Sequence, residues 1–476
     1  MGGGLKEGFR KYLEEAIGHE NALVAFSALD RSASVSVRLN PYKVPSLPER
    51  WTRAVPWSRH GRFLDDRPSF TLDPLFHAGA YYVQDSSSMF VGHMFRQVLP
   101  GVMAGKSRPL RVLDLCASPG GKTTDLAASL REVCGSSFVL VSNEVVSQRA
   151  SVLASNAAVW GDPCVAVTSS DPSVFASMAG WFDVILADVP CSGEGMFRKD
   201  TQALQQWSED NVKLCQARQR RIAGDVWPAL AEGGVFIYST CTFNRYENDC
   251  NVQWISGNLG AENISSKVFA GTGIPEGVLA TESGFSLVPG LVEGEGQYCA
   301  ALVKTSGGTP SRTREARGGF SPLSGPMASE VKEYFAGDVD VLLKDGFVKV
   351  HPAAVSGEMS HIAGRLNVLS SGCAAGEFKK NVLVPDPDLA LSIIFRRDTY
   401  PRADVDLGTA LSYLHGDQPA PVGYPAGYMT VCYGGLPLGF VKNLGNRCNS
   451  LYPRSRRIRM DIGRNIFRTD QLQNKK

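Results

Sequence analysis

Cysteine and histidine pairs at metal-binding spacing are missing from the sequence, although it contains 11 cysteines and 7 histidines. No Cys-x-x-Cys occurs, and the odd, scattered set of cysteines gives no regular disulfide framework. Long apolar runs are missing too: Met1–Glu7 contains no apolar signal core, and no later stretch is long enough to cross a bilayer. These absences argue against a zinc site, a disulfide scaffold and a membrane span, and they predict reduced thiols in the cytoplasm.

A net charge of one sign is also lacking, since 49 Lys and Arg residues stand against 47 Asp and Glu residues. The resulting charge of +2 points to no class of partner. Only the C-terminal segment is one-sided, because residues 442–468 contain eight basic residues and one acidic residue, Asp461. Such a segment is typical of nucleic-acid binding, in which basic side chains displace counterions from phosphates, but it also fits a solvated tail.

The length of 476 residues indicates two or three domains, and the hydrophobic share of 43% is enough for separate cores. A helix over 5–17 and a strand over 34–39 predict a small N-terminal module. The stretch rich in Gly, Ser, Thr and Arg after residue 305 is typical of a linker. We therefore divide the chain into five segments: an N-terminal module (1–75), a strand–helix domain (76–305), a linker (306–326), a small α+β module (327–390) and a C-terminal α+β region (391–476).

Apolar strands alternate with helical stretches between residues 110 and 240, which predicts a parallel, doubly wound α/β sheet of the Rossmann type. The predicted strands are 110–115, 137–143, 164–168, 182–188 and 234–240. Helices are predicted near 122–131, 147–158 and 209–231, and Ser208 is a candidate N-cap for the last one. Right-handed crossovers bring the carboxyl ends of all five strands to one edge of the sheet.

A polar residue follows or ends every one of these strands, and ligands of open parallel sheets bind outside the carboxyl ends of strands. The five groups, in chain order, are Asp114 with the loop Leu115–Thr123, Glu144, Asp171, Asp188 with Cys191, and Thr240 with Cys241. Five polar strand ends on one edge are difficult to explain by core packing. The sequence therefore predicts a binding site at this edge.

The glycine-rich loop Leu115–Thr123 ends in Gly-Lys-Thr, as a P-loop does. A P-loop requires glycine at position 116, which is Cys116, and the dinucleotide pattern Gly-x-Gly-x-x-Gly is absent as well. A tight turn before a helix still lets the backbone approach a ligand, while Glu144 could accept hydrogen bonds from ribose hydroxyls and Asp171 from an adenine amino group. S-adenosylmethionine, an adenosine that carries an amino acid, fits a loop without a phosphate cradle. Ordinary loop acids are the alternative for Glu144 or Asp171 taken singly.

Cys191 and Cys241 differ from most other cysteines, which we interpret as buried apolar side chains. Each of the two follows a strand at the predicted binding edge and lies in a polar loop. Zinc deaminases also use a Pro-Cys pair, but they need a second cysteine three positions later, where this chain has Glu194. None of the seven histidines lies in a signature of a cysteine protease. Two thiols beside such a loop predict a nucleophile next to an activated cofactor.

Three segments resemble the RNA cytosine-C5 methyltransferase family: Asp114–Thr124, Asp188–Asp200 and Ser239–Phe243. The most similar branch is the bacterial one that acts on small-subunit ribosomal RNA. The segment Tyr81–Met89 resembles the family's helix before the cofactor strand. The chain departs from the usual family pattern at Val189, where alanine is usual, and at Gln297–Cys299, where aromatic residues are usual.

The resemblance covers residues 35–304 and returns more weakly at Gly376–Lys379 and Gly435–Gly439. It implies a Rossmann-like, S-adenosylmethionine-dependent methyltransferase domain and, over 391–476, the PUA-like RNA-binding domain of that branch. The implied reaction is methylation of C5 of a cytosine in RNA, with 16S ribosomal RNA or the small ribosomal subunit as partner.

The resemblance also implies roles for single residues. Cys241 is the nucleophile that adds to C6 of the cytosine, Cys191 assists the breakdown of the covalent adduct, and Asp188 contacts N3. The residues alone do not assign the two thiols, because DNA cytosine methyltransferases use the Pro-Cys position. Lys122 is structural or near the base, with a surface lysine as the alternative. The residues implied to bind the cofactor are Cys116, Ala117, Ser118, Pro119, Gly120, Gly121, Lys122, Glu144, Asp171 and Asp188, and no metal is implied.

Two other functions stay open. One is the same reaction on transfer RNA, although an additional C-terminal RNA-binding domain favours the ribosomal substrate. The other is a non-catalytic RNA-binding factor in ribosome assembly, which the presence of both thiols and the cofactor acids argues against. We expect a monomer that binds RNA and no membrane.

Overall fold

A computed structural model describes residues 6–44, 51–306, 319–417, 425–460 and 462. Within these residues, no helix is long and apolar enough to span a bilayer. No group of three or more His, Cys, Asp or Glu side chains in the described part of the chain could hold a metal ion.

The N-terminal part consists of short helices and a four-stranded sheet. Its elements are α1 (Glu7–Ile17), α2 (His19–Leu29), β1 (Val35–Leu39), β2 (Ala54–Val55), β3 (Ser58–Leu64), α3 (Pro74–His77) and β4 (Tyr81–Val83), and the strand order is β2-β3-β1-β4. The helix predicted over 5–17 and the strand predicted over 34–39 are confirmed. Phe9, Leu13 and Ile17 are buried on one face of α1, as helical spacing requires.

The segment Tyr81–Met89, which resembles a helix of the family, is a strand followed by a turn, so this prediction is wrong. Tyr81–Val83 pairs antiparallel with β1, and the next helix begins only at Met89. Aromatic and β-branched side chains such as those of Tyr-Tyr-Val favour extended backbone because they fit a pleated surface. The N-terminal sheet therefore includes a strand beyond residue 75, where the sequence had placed the end of the module.

A large sheet forms the centre of the molecule. The elements after β4 are α4 (Met89–Met103), β5 (Leu110–Asp114), α5 (Gly121–Cys134), β6 (Phe138–Asn143), α6 (Ser147–Trp160), β7 (Val165–Thr168), β8 (Phe182–Asp188), α7 (Thr201–Gln206), α8 (Glu209–Val226), β9 (Leu230–Thr240), α9 (Asp249–Leu259), β10 (Ala261–Asn263), α10 (Ser265–Val268), β11 (Leu279–Ala280), β12 (Phe285–Leu287) and β13 (Gln297–Lys304). Strands β9, β8, β5, β6 and β7 are parallel neighbours in that order. The five predicted strands and the parallel α/β sheet are confirmed, and β13 is added antiparallel to β9.

Helix α8 is shorter than the helix predicted over 209–231. The Ser208 side chain accepts a hydrogen bond from the backbone N–H of Asn211, which confirms the predicted N-cap. The helix ends at Val226 and passes into a 3-10 turn that contains Pro228. Because proline has no backbone N–H and its ring clashes with the preceding turn, it disrupts an α-helix when it lies in the interior. The chain enters β9 directly after this turn.

The C-terminal part contains two further sheets. Its elements are β14 (Ser321–Pro322), α11 (Pro326–Glu333), β15 (Val339–Lys344), β16 (Phe347–Pro352), α12 (Ser356–Ala363), β17 (Val368–Ser371), β18 (Cys373–Lys379), β19 (Val382–Pro385), α13 (Pro387–Leu391), β20 (Arg402–Asp404), α14 (Leu407–His415), β21 (Gly427–Tyr433), β22 (Leu436–Asn443) and β23 (Cys448–Ser450). One sheet has the order β14-β15-β16-β18-β19 and the other the order β20-β21-β22-β23. Short 3-10 turns occur at Phe70–Leu72, Pro172–Met178, Glu194–Met196, Trp227–Ala229, Ala353–Val355 and Arg454–Arg456.

Residues 327–390 were expected to form a separate module, but part of this segment packs into the central domain. Strand β17 pairs antiparallel with β7 and so extends the central sheet, while Met359 and Ile362 of α12 belong to the central hydrophobic core. Strand β17 has only four residues. The alternation of apolar and polar residues over so short a segment does not indicate from the sequence which sheet the strand joins.

The predicted linker 306–326 lies partly outside the described residues, which omit 307–318. At its C-terminal end, Ser321 and Pro322 pair with Leu343 and Leu342. This end of the predicted linker therefore belongs to a sheet.

The N-terminal sheet and the C-terminal sheet β20-β21-β22-β23 share one hydrophobic core. Val37 and Leu39 of β1 are buried together with Leu411 of α14 and Leu438 of β22. The two ends of the described chain therefore stabilise each other, with the central sheet beside them.

Candidate active site

Three neighbouring strands, β9, β8 and β5, end at one edge of the central sheet and deliver the candidate catalytic groups there. Asp188 ends β8 and lies in register with Ser239 of β9, while Asp114 ends β5. These strands are buried over most of their length. Their rigid core holds the polar residues that follow in fixed positions.

The two candidate thiols, on the loops after β8 and β9, are in contact. Cys191 Sγ lies 3.1 Å from Cys241 Sγ, and both cysteines are free and partly exposed. The hydrogen bond with Cys241, together with burial, raises the pKa of Cys191 well above that of an ordinary thiol. Cys191 is therefore held as a neutral S–H that can donate a hydrogen bond to the Cys241 sulfur.

Glu194 connects the loop that carries Cys191 with the loop that carries Cys241. Its carboxylate accepts hydrogen bonds from the backbone N–H groups of Phe243 (2.7 Å) and Asn244 (3.1 Å), on the Cys241 loop. The Trp207 indole N–H donates to it as well, at 2.8 Å. Glu194 is 1% exposed, and such a buried carboxylate is stable only when its acceptors are used in this way.

A second buried carboxylate, Glu247, completes this support. It accepts hydrogen bonds from the backbone N–H of Ser192 at 3.0 Å and from the Gln219 amide at 2.7 Å. The Asn244 amide bridges the two acids, at 2.8 Å from Glu247 Oε1 and 2.9 Å from Glu194 Oε1. Burial, and next the charge of Glu194, raise the pKa of Glu247 to about 7.

Sequence reasoning missed the structural role of Glu194 and Glu247. The signal for them was weak, because each is simply an acidic residue a few positions after a candidate thiol.

Asp188 is held through both oxygens. Lys122 Nζ lies 2.8 Å from Oδ2, and the Gln297 side-chain amide donates to Oδ1 at 3.0 Å. Burial disfavours the charge on Lys122, but the Asp188 carboxylate outweighs burial and, with Cys241, raises the pKa of Lys122. The alternative of a surface lysine is excluded, because the Lys122 side chain is only 13% exposed.

The glycine-rich loop turns sharply at Gly120, whose φ of +114° is favourable only for glycine. A Cβ there would lie 3.2 Å from a Leu153 methyl group. The carbonyl of Pro119 accepts hydrogen bonds from Tyr82 (3.0 Å) and Asn156 (2.8 Å), which fixes the loop from outside. Helix α5 begins directly afterwards at Gly121.

Other loop residues are held by hydrogen bonds to backbone carbonyls. Ala117 N–H donates to the carbonyl of Asn143 at 2.8 Å, and the Ser118 hydroxyl donates to the carbonyl of Arg149 at 3.1 Å. Burial raises the pKa of the Cys116 thiol well above its usual range, so that Cys116 is a neutral side chain beside the loop.

The N-terminal sheet braces this loop through Arg38, a buried residue that sequence reasoning missed. Its guanidinium donates to the carbonyl of Gly121 at 3.1 Å and to the Thr124 hydroxyl at 2.5 Å. A third donor reaches the Gln84 amide oxygen at 2.8 Å. The first turn of α5 is thus fixed by a residue far away in the sequence.

Asp114 offers an acceptor that a bound cofactor could use. Oδ2 accepts a hydrogen bond from the Thr123 hydroxyl at 2.7 Å, whereas buried Oδ1 has no hydrogen-bond partner among the described residues. Burial raises the pKa of Asp114 to about 7. Because a buried acceptor without a partner is costly, a donor such as the ammonium group of an amino acid fits here.

Glu144 and Asp171 follow the neighbouring strands β6 and β7, at the same edge. Buried Glu144 accepts a hydrogen bond from Val146 N–H at 3.0 Å and pairs with Arg149 at 3.2 Å. Asp171 is exposed and caps a 3-10 turn. Hydrogen bonds from the Ser173 side chain and backbone hold its pKa below the usual value.

Three pairs of predicted site residues thus lie at this edge of the sheet. Cys191 and Cys241 are in direct contact, and Asp188 and Lys122 form an ion pair. Glu144 and Asp171 lie at adjacent strand ends, each occupied in part by local hydrogen bonds.

Comparisons with known proteins identify the family. Family models described as 16S rRNA methyltransferase RsmB/F, the N-terminal domain of 16S rRNA methyltransferase RsmF and the methyltransferase RsmF PUA domain match residues 105–303, 5–86 and 401–458. The ribosomal RNA small subunit methyltransferase F of Shewanella baltica (strain OS195) is 30% identical over 452 residues, which are 90% of this chain and 91% of the relative.

The chain belongs to the RsmB/F methyltransferase family. It is an RNA methyltransferase of the S-adenosylmethionine-dependent class, and RNA is its macromolecular partner. A methyltransferase F of Shewanella sp. (strain MR-7) is also 30% identical and covers 90% of this chain and 92% of its own length.

Two solved structures from Pyrococcus horikoshii share the fold of about two thirds of this chain. A methyltransferase homolog protein is 25% identical, covers 63% of this chain and 96% of its own, and has a TM-score of 0.51. NSun6 solved with SFG is 17% identical, covers 64% of this chain and 99% of its own, and has a TM-score of 0.50.

Proposed function

We propose that the protein methylates C5 of a cytosine in 16S ribosomal RNA through a covalent adduct with Cys241. The observation that carries this proposal is the 3.1 Å contact between the Cys191 and Cys241 sulfurs, on loops adjacent to Asp188. Cytosine C5 is a poor nucleophile, and a thiolate that adds to C6 makes C5 electron-rich. The names of the relatives support small-subunit ribosomal RNA as the substrate.

Cys241 forms the bond to C6, and the electrons of the C5–C6 double bond move to C5 and the ring. Asp188 contacts N3; because N3 of cytosine and an ionised carboxylate are both acceptors, one proton lies between them, and this proton limits the negative charge on the ring. S-adenosylmethionine, when bound, supplies the methyl group that C5 attacks. The C5 proton then passes to solvent water, the electrons of the C5–H bond re-form the C5–C6 double bond, and the electrons of the C6–S bond leave with the Cys241 sulfur.

Cys191 acts in the last stage. Its raised pKa keeps the proton on sulfur, so it can donate to the Cys241 sulfur as that sulfur leaves C6. Glu194 and Glu247 hold the two loops at the distance that this exchange requires. The arrangement therefore supports different steps for the two thiols.

The cofactor would lie along the ends of β5, β6 and β7. The loop Cys116–Lys122 and Asp114 are placed for its amino-acid part, Glu144 for the ribose and Asp171 for the adenine. Asp188 borders both the cofactor and the base. Local hydrogen bonds already use part of the capacity of Glu144 and Asp171, so the binding of a cofactor would share or replace them.

The C-terminal region would hold the RNA. The described basic residues of its segment 442–468 are Lys442, Arg447, Arg454, Arg456, Arg457 and Arg459, whereas Asp461, Arg464 and Arg468 of that segment lie outside the described residues. Arg456 pairs with Asp388, so not all of these charges are available to RNA. The PUA-like region over 391–476, a catalytic domain built on the central sheet and a cytoplasmic monomer are parts of this proposal.

Bisulfite sequencing of total RNA tests the function. A strain that lacks the gene should lose one methylcytosine in 16S ribosomal RNA, and the wild-type gene, but not Cys241→Ala, should restore it. Loss of a methylcytosine in transfer RNA would identify the alternative substrate. No lost methylcytosine in either RNA would favour a non-catalytic assembly factor.

A further inference from the structure

Gln297 is a buried polar residue that departs from the aromatic pattern usual in the family. It begins β13 and is 2% exposed. The pairing of β13 with β9 places it beside the last residues of β9, since Tyr298 lies opposite Thr240. Its side-chain amide supplies a hydrogen-bond donor at the candidate active site.

The donated hydrogen bonds of Gln297 converge on the end of β8 and β9. Its amide nitrogen lies 3.0 Å from Asp188 Oδ1 and 2.5 Å from Ser239 Oγ. The other oxygen of Asp188 is 2.8 Å from Lys122 Nζ. Each oxygen of the Asp188 carboxylate therefore accepts a hydrogen bond from a different donor. Rotation about the Cβ–Cγ bond of Asp188 would break at least one of these hydrogen bonds.

We propose that Gln297 is a positioning residue that fixes the plane of the Asp188 carboxylate for its contact with the substrate base. The inference rests on the proposed function, in which Asp188 contacts N3 of the cytosine. Lys122 alone would hold one oxygen and leave the carboxylate free to turn. Because a reacting group must be held close to its productive geometry, loss of the second donor should slow the reaction more than it weakens substrate binding.

The test compares Gln297→Met, which keeps the size but has no donor, with Gln297→His, which keeps a ring N–H. Steady-state methylation of 16S ribosomal RNA gives kcat and KM for RNA and for S-adenosylmethionine. Gln297→Met should lower kcat about tenfold, as expected for one lost hydrogen bond to a charged group, with each KM changed less than about twofold. Gln297→His should recover most of the loss. Ser286→Ala is the matched control, because the Ser286 hydroxyl is buried on neighbouring β12 without a partner in the described chain.

A second variant keeps the test decisive if Gln297→Met does not fold. Ser239→Ala removes the acceptor that holds Gln297 without touching Asp188, and it should lower kcat with each KM unchanged. The positioning role would be overturned if a folded Gln297→Met or Ser239→Ala protein had the kcat of the wild type. It would also be overturned if Gln297→Met and Gln297→His lowered kcat equally. A wild-type protein that methylates no cytosine would instead refute the proposed function.

Discussion

Lys122 Nζ lies 2.8 Å from Asp188 Oδ2 and so connects the first turn of α5 with the end of β8. In the proposed function, this contact joins the loop assigned to the cofactor with the carboxylate assigned to the base. Both side chains are largely buried, with exposed fractions of 13% and 25%. The ion pair therefore fixes helix α5 relative to the end of β8.

The first prediction concerns this ion pair. Lys122→Met should reduce cytosine methylation at least about tenfold, because a partly buried carboxylate loses its charged donor. The matched control is Lys213→Met, whose ion pair with Asp210 is exposed and should matter little. Single-turnover methylation measures both. Equal rates in Lys122→Met and wild type would show that the ion pair has no part in the reaction.

A second prediction concerns cofactor binding. Glu144→Ala should weaken the binding of S-adenosylmethionine by about 1–3 kcal/mol, since hydrogen bonds to the ribose are lost. Isothermal titration calorimetry measures the affinity, and exposed Glu209→Ala serves as the control. If the wild-type protein binds NAD or ATP and not S-adenosylmethionine, the assignment of this edge is wrong.

A third prediction follows from buried Glu247, whose folded-state pKa of about 7 exceeds the usual value near 4.5. Between these two values the folded state binds more protons than the unfolded state, so the free energy of unfolding should fall as pH rises from about 4.5 to 7. Glu247→Gln should remove roughly 1–3 kcal/mol of this fall. Urea denaturation at pH 5 and pH 7 measures the difference. Parallel pH dependence in variant and wild type would contradict the raised pKa.

Burial also raises the pKa of Asp114 to about 7. Asp114 should therefore also lower the free energy of unfolding as the pH rises towards 7. The comparison of wild type with Glu247→Gln isolates one group, since Asp114 is present in both proteins.

RNA affinity should depend on exposed charges of the C-terminal region, which is the fourth prediction. Replacement of Lys442, Arg447 and Arg454 by glutamine should weaken RNA binding and make its salt dependence shallower, because fewer counterions are released. The control has three exposed lysines replaced elsewhere: Lys213, Lys267 and Lys379. Fluorescence anisotropy at several salt concentrations measures both quantities. The same affinity and slope in both triple variants would show that the basic segment is merely solvated.

Point variants are preferable here to removal of the C-terminal region. Deletion of residues 391–476 would remove Leu411 and Leu438, which are buried against Val37 and Leu39 of the N-terminal sheet. Such a deletion would damage the fold as well as the RNA-binding surface.

The strand ends were predictable because buried parallel strands are continuous apolar runs, and the polar residues after them then stand out. This is how Asp114, Asp188, Cys191 and Cys241 were found. The helix predicted over Tyr81–Met89 was wrong because that prediction depended on the family resemblance, whereas the local β-propensity of Tyr81–Val83 favours the strand that is present.

The supporting residues could not be found in the same way. Arg38 and Gln297 reach the site from strands that are distant in sequence, and their contacts exist only after the sheets have assembled. Glu194 and Glu247 are recognisable as a pair only because Asn244 bridges them in space. The placement of β17 beside β7 likewise depends on tertiary packing.

The two thiols give the most direct test of the central claim that Cys241 enters the adduct and Cys191 releases it. Labelled 16S ribosomal RNA is incubated with S-adenosylmethionine and each cysteine variant, and the products are separated on a denaturing gel. Cys191→Ala should attack the base, accept the methyl group and stall as a covalent protein–RNA band, whereas Cys241→Ala should give neither methylation nor a band. A covalent band with Cys241→Ala and none with Cys191→Ala would contradict the account and reverse the roles of the two thiols.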